Sequence, residues 1–308
     1  MSRESAFIAM MRAIASGPAA RGLLDDAAVI ELGGEALILT HDMMAEGIHW
    51  LPHASPADVA WKLVAANLSD LAAKGAEPLG LLLGYSLSDA QWDMGFAAGL
   101  HDAVGHFDVP LLGGDSVGDA GGRILGMTAI GRASYRPVPA RSGAQAGDIL
   151  YVTGWLGDAK AGFDLENGAD EGGCSDAGRL RRAFKRPAPR LSDGRALAPL
   201  VTAMMDVSDG LLIDAQRMAA ASNLQLTIDL AHVPLSPDYV SLYGDNTDSR
   251  IEAASWGDDY QLLFALPNSV EPPVAAVKLG QFDSGQGLKL TDNGTATALP
   301  ARLGFEHG

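Results

Sequence analysis

SPADVAWKLVAANLSDLAAKGAEP (Ser55–Pro78) reads as one helix with defined ends. Ser55 is suited to the N-cap, Pro56 to the first helical position, and Asp58 to completing a capping box at the positive end of the helix dipole. Gly75 fits a left-handed stop and Pro78 prevents continuation. Val64, Leu68 and Leu71 share one face, which belongs to a core. Asn67, Asp70 and Lys74, at i, i+3 and i+7, form a polar stripe on an otherwise Ala- and Leu-rich helix. Such a stripe faces water or serves a partly buried cleft. Taken alone, exposure to water is the favoured reading.

Working outward, the chain alternates helices and strands, the pattern of an α/β or α+β protein. Upstream, Ser5–Ala15 predicts a helix, and Ala27–Glu31 and Ala36–Thr40 predict two strands joined as a hairpin at Gly33-Gly34. Downstream, Gly80–Leu87 reads as a strand, Asp89–Gly105 as a helix, Val109–Leu112 as a short strand entering Gly113-Gly114-Asp115, and Arg123–Gly131 as a strand. Two prolines in SYRPVPA (Ser134–Ala140) mark a boundary, dividing the chain into residues 1–137 and 138–308. The second unit offers strands at Ile149–Thr153, Leu200–Val207, Leu224–Leu230 and Tyr260–Leu266, with a helix at Leu211–Ser222. Asn167–Gly178, rich in Gly and acids, reads as a mobile loop. No repeat of 20–50 residues is visible.

Composition narrows the function. A formal charge of −16 over 308 residues opposes binding to nucleic acid or anionic membrane. An anionic substrate would be repelled unless divalent cations were bound locally. Cys174 is the one cysteine, so neither an intramolecular disulfide nor a Cys-only metal site is available. No signal-like N-terminus and no membrane-length apolar run are found, and the expectation is a soluble cytoplasmic protein.

The recurring theme is an aspartate where a strand ends or a helix begins: Asp26, Asp42, Asp115, Asp206 and Asp209, with Asp70 on the central helix. Any one of these alone is better read as a turn former. Six beside hydrophobic elements weaken that reading, because strand ends are where α/β proteins bind ligands. Carboxylates are the hard ligands that magnesium takes. The chain has no Walker-type phosphate loop and no protein-kinase motif set. Arg141, with Gly143 and Gly147, offers a guanidinium to phosphate, a reading that in isolation is no stronger than that of a surface arginine after a linker.

In order, the chain carries LLDDAAVI, LTHDMMAEGIHW, AANLSDLAAKGAEPLG, LLGGDS, RSGAQAGDILYVTG, RPAPRLSDGRAL, MMDVSDGLLID and GDDYQLLF. From about Asp25 to Phe264 this series resembles the thiamine-monophosphate kinases, of the superfamily that includes aminoimidazole ribonucleotide synthetase. The resemblance implies a two-domain α/β (α+β) architecture, with the N-terminal domain pairing in a homodimer to form a shared barrel and a layered C-terminal domain. It also implies ATP- and Mg2+-dependent conversion of thiamine monophosphate to thiamine diphosphate. By position, Asp26, Thr40, His41, Asp42, Asp70, Asp115, Asp206 and Asp209 fall at or beside metal sites. Gly114, Asp115, Arg141 and Ser208 fall where ATP is contacted, and Asp115, Arg141 and Asp209 are the catalytic candidates. His49 and Asp258 fall where thiamine phosphate is contacted, and Phe305 is a surrogate for a C-terminal aromatic.

Several positions depart from the family pattern. Leu24 replaces a glycine, His41 a threonine, and Trp256 and Asp258 stand in a segment that is usually Gly-Gly-Glu-Asp-Tyr. A stacking role for Trp50 or Trp256 on a cationic thiazolium competes with core packing, which is favoured. Two other functions fit less well. Another ATP-using enzyme of the superfamily would need different residues around His49 and GDDYQLLF, or a cysteine elsewhere than Cys174. A non-catalytic nucleotide- and Mg2+-binding homologue would not be expected to keep six acids.

Overall fold

The computed structural model describes residues 3–118 and 122–306. The predicted central helix, α2, runs Pro56–Ala73 and is buried at thirteen of its eighteen positions, far more than one core-facing stripe requires. The reason is that it is covered from both sides. On one side lies a five-stranded sheet of β1 (Ala28–Leu32), β2 (Glu35–Ala45), β3 (Ala76–Ser86), β4 (Leu111–Val117) and β5 (Ile124–Ala133), in the order β1-β2-β5-β3-β4. Helix α3 (Ala90–Phe107) packs beside α2, and α1 (Arg3–Arg12) precedes the sheet. On the other side lie α6 (Leu191–Leu197) and strand β7 (Ala203–Asp206) of the second unit.

That second unit is a seven-stranded sheet in the order β12-β11-β8-β10-β6-β9-β7. Its remaining strands are β6 (Ile149–Thr153), β8 (Gln225–Asp229), β9 (Leu262–Leu266), β10 (Ala276–Asp283), β11 (Gly287–Asp292) and β12 (Thr295–Thr297). Its other helices are α4 (Asp158–Glu166), α5 (Ala177–Lys185), α7 (Leu211–Ala221), α8 (Pro237–Tyr243) and α9 (Thr247–Ser255). Every strand of β6, β7 and β9 is sandwiched by apolar contacts, whereas β12 is an exposed edge.

Several local expectations change. Ser55 does start α2, but its side chain makes no cap bond. Asp58 instead pairs with Arg186 at 2.5 Å and Lys185 at 3.5 Å, a charge-assisted contact stronger than a neutral cap. Pro78 sits inside β3, where the register shifts between Pro78 and Gly80 and spares the ladder the missing donor. The hairpin forms as expected, with Leu32 opposite Glu35 and positive φ at Gly33 and Gly34. β2 runs on to Ala45, so His41 and Asp42 lie within the strand rather than after it. Gly113-Gly114-Asp115 likewise lies in β4, pairing in parallel with β3, and not in a turn.

The polar stripe of α2 is not solvated. Asn67 and Lys74 are fully buried, and Asp70 opens only onto a small cavity. The second unit covers that face, which no reading of α2 in isolation could reveal. The predicted loop after α4 is tied down at its far end, where Asp238 accepts from Ser175 Oγ at 2.6 Å, Asp176 N at 3.2 Å and Arg179 Nε at 2.9 Å.

Candidate active site

Alternate residues of a strand point to opposite faces. On β2 this sends Thr40 and Asp42 toward α2, where Asp70 lies, and places β7 and its Asp206 on the far side of the same helix end. Asp26 sits just before β1. A cavity of roughly 270 Å³ opens here, lined among others by Asp25, Asp26, Thr40, Asp42 and Asp70. Three of the six predicted acids, from three separate parts of the chain, thus line one cavity, and Asp206 is tied to the same helix through Ser69.

Their environments divide them. Asp26 has a cation on each oxygen: Arg141 Nη2 at 2.5 Å from Oδ1 and Lys74 Nζ at 2.7 Å from Oδ2. Burial works to raise its pKa, but Lys74 and Arg141 outweigh that and hold it down at about 2. Asp42, Asp70 and Asp206 have only neutral hydrogen-bond neighbours. Thr40 Oγ1 donates to Asp70, Ser69 Oγ donates to Asp206 at 2.6 Å, and Asn67 Oδ1 accepts the backbone N–H of Asp42 at 3.2 Å. Burial, then repulsion from Asp209 and Asp26, pushes Asp42 up to about 6. Burial and neighbouring aspartates push Asp70 and Asp206 well above the usual carboxylate range.

The loop between β7 and α7 carries Ser208 and Asp209. Buried Asp214, on the first turn of α7, accepts the N–H of both at 3.2 Å. Arg217 bonds Asp209 at 2.5 Å and Asp214 at 2.9 Å. The Gly257-Asp258 segment rests on this loop, with Asp258 N donating to Ser208 O at 2.8 Å. A Cβ at Gly257 would stand 2.6 Å from Ser208 O, so only glycine permits the approach. The chain's end joins the same loop, where Phe305 N donates to Asp209 O at 2.9 Å.

His49 and Asp258, far apart in sequence, meet through Lys62 of α2. Its buried ammonium lies 2.7 Å from Asp258 Oδ2, 3.1 Å from the His49 carbonyl and 4.0 Å over the Phe184 ring. Three predicted residues are not brought to the acids. The His41 ring lies on the opposite sheet face, bonded to Thr128 at 2.9 Å. Asp115 follows the row Met43–Gly126–Gly84–Asp115 across that same open face, and Gly114 lies beside it on the exposed edge strand. Trp50 is packed in the core, whereas Trp256 is half-buried 5.0 Å from Phe163.

Asp25, Lys62, Ser69, Asp214 and Arg217 escaped the sequence reading. Asp214 stands within the MMDVSDGLLID stretch, and its spacing from Asp209 on a helix start was the available signal. Lys62 and Ser69 carry no signal beyond being polar on an apolar helix.

Among the described residues no three His, Cys, Asp or Glu side chains already converge on one point as a metal cage. Magnesium does not need one, because it takes one or two carboxylates and fills its shell with water and substrate phosphate. Asp42, Asp70 and Asp206, hard and without a cationic partner, fit that demand.

A two-domain fold with buried acids from both halves meeting at one cleft defines a class, and the comparisons with known proteins agree on it. Residues 24–133 match the AIR synthase related protein N-terminal domain, and residues 145–300 match the AIR synthase related protein C-terminal domain. The thiamine-monophosphate kinase of Caulobacter vibrioides is 38% identical over 317 residues, covering 97% of this chain and 89% of that protein. A solved structure of AaThiL complexed with AMPPCP and TMP aligns with a TM-score of 0.85 at 27% identity, covering 97% of this chain and 95% of that one. The thiamine-monophosphate kinase of Stenotrophomonas maltophilia K279a aligns with a TM-score of 0.76 at 30% identity, covering 94% and 95%. The chain belongs to the AIR synthase related family, and within it to the thiamine-monophosphate kinases.

Proposed function

We propose that this protein transfers the γ-phosphoryl group of ATP in line to the phosphate of thiamine monophosphate, releasing ADP and thiamine diphosphate, with Mg2+ held by Asp42, Asp70 and Asp206. The reading is carried by the meeting of buried, cation-free aspartates from both halves of the chain, in a family whose relatives are thiamine-monophosphate kinases.

The attacking group is a phosphate oxygen, largely ionised at neutral pH because its second pKa is about 6. No general base is needed, and none of the side chains at the cleft is arranged as a His–Asp or Ser–His dyad. The work is positioning and charge neutralisation. When bound, Mg2+ supplies the neutralisation of phosphate charge. Arg141 Nε is buried with no acceptor, a donor left over for an incoming phosphate. Ser208 and Asp209 are held in place by Asp214 and present the loop before α7 to the nucleotide. Lys62 fixes His49 and Asp258 on the thiamine side, and Phe305 closes the same loop from the C-terminus.

We assign residues 1–137 to the dimerisation and nucleotide–metal unit and residues 138–308 to the second α/β unit, working in the cytoplasm as a homodimer. The open face of the first sheet supports the dimer, for it exposes Met43, Leu82, Leu112 and Ile124. In that dimer Asp115 and Gly114 lie at the subunit boundary.

The decisive assay follows ADP and thiamine diphosphate by chromatography, with ATP, Mg2+ and thiamine monophosphate each omitted in turn. Equal amounts of both products, only when all three are present, are expected. Nucleotide binding without transfer to thiamine monophosphate would overturn the assignment.

A further inference from the structure

The two halves of the acid cluster are not equivalent, and the difference lies in Lys74. It is the residue just past α2 and fully buried; its ammonium hydrogen-bonds Asp25 Oδ1 at 2.5 Å and Met204 O at 3.3 Å and forms an ion pair, without a hydrogen bond, with Asp26 Oδ2 at 2.7 Å. The remaining oxygens of the acid pair are also taken, Asp25 Oδ2 by Arg21 and Asp26 Oδ1 by Arg141, each at 2.5 Å. This corner therefore holds two carboxylates and three cations. Asp42, Asp70 and Asp206, by contrast, form no ion pair with Lys or Arg among the described residues.

We infer that Lys74 is a built-in cation filling the Asp25–Asp26 corner, so that Asp26 is not a magnesium ligand in this chain and the ion is left to Asp42, Asp70 and Asp206. The inference rests on the kinase reading above and changes its metal set, since Asp26 had been expected among the ligands. A divalent ion arriving at Asp26 would have to separate a buried ammonium from both of its carboxylate partners, and breaking a buried ion pair is costly. The opposite corner presents no such competitor. The effect of Lys74 is also local, since its ammonium replaces an ion that would otherwise require free Mg2+, and it does so at every metal concentration.

The test is Mn2+ binding to the full-length protein without nucleotide, followed by calorimetry and by counting bound ions in the Mn2+ resonance spectrum. Asp42→Asn should weaken Mn2+ binding by about tenfold or more, the scale on which metal-site partners act. Asp26→Asn should weaken it by less than about threefold, a change of well under 1.4 kcal/mol. Lys74→Met, which keeps an unbranched side chain of similar length, should bind one more Mn2+ per chain than the unmodified protein. Asp26→Asn as damaging as Asp42→Asn, or an unchanged ion count in Lys74→Met, would overturn the inference while leaving the kinase reading intact. If Lys74→Met does not fold, the comparison of the two Asp variants decides alone. Absence of Mn2+ binding by the unmodified protein would remove the metal set of the proposed function itself, and this inference with it.

Discussion

Asp42, Asp70 and Asp206 carry their charge at a cost that Asp26 does not. Asp26 faces two cations, whereas the other three face one another. The sign of the stability effect follows. In the unfolded chain these carboxylates titrate at about 3.9, but in the folded chain Asp42 does so at about 6 and the other two are likewise raised well above the usual carboxylate range. From about pH 4 upward the folded state therefore holds more protons than the unfolded one, and stability falls as pH rises. Asp26, lowered to about 2, contributes in the opposite sense but only below that window. Thermal melting of the metal-free protein should thus drop between pH 5 and pH 7.5, and Mg2+ should restore it. A midpoint independent of pH would contradict the burial and repulsion described. Asp70→Asn should abolish turnover and raise the metal-free midpoint at pH 7.5, by relieving the repulsion while leaving the Thr40 contact a neutral partner.

At the scale of elements, α2 is the axle of the molecule, and its C-terminal end is where the two units touch most closely. A Cβ at Gly194 of α6 would lie 2.0 Å from the carbonyl oxygen of Ala72 on α2. Backbone cannot yield there as a flexible side chain could. Gly194→Ala should cost about 1–3 kcal/mol, the usual penalty of overpacking, read as a lower urea midpoint. It should also reduce activity by separating Ser69 on α2 from Asp206 on β7. Full stability in this variant would show the interface to be looser than described. The helix itself was legible because its ends are marked by Ser55-Pro56 and Gly75. β4 was misplaced because Gly113-Gly114-Asp115 has turn composition, and only pairing with β3 makes it a strand. α5, α6, α8 and α9 are short, β10 and β12 lack strong alternation, and the alternation of β11 covers only four residues, so local pattern gave them little signature.

At the scale of the whole molecule, the first sheet has one face under α2 and α3 and the other bare. Leu112 is 56% exposed and Met43 58%, on a surface that gains free energy when covered. Light scattering should give twice the chain mass of 32.0 kDa, and Leu112→Glu should shift it toward the single chain. A monomer for the unmodified protein would dismiss the homodimer. Asp115, stranded on this face within one chain, should then be without consequence for Mn2+ binding.

The sequence by itself determined the alternating α/β class, the central helix and its ends, the hairpin before it, and a set of aspartates matched in order and spacing to one family. Those features are local, written in caps, glycines, periodicity and motif order. Tertiary structure decided what the aspartates are for one another. It turned a stripe that reads as solvated into the buried wall of a cleft, because a segment more than a hundred residues away covers it. It gave Asp26 two cations and gave Asp42, Asp70 and Asp206 none, and it set His41 and Asp115 on the far side of a sheet. Charge state and facing depend on distance and burial between residues remote in sequence, and these exist only once the chain has folded.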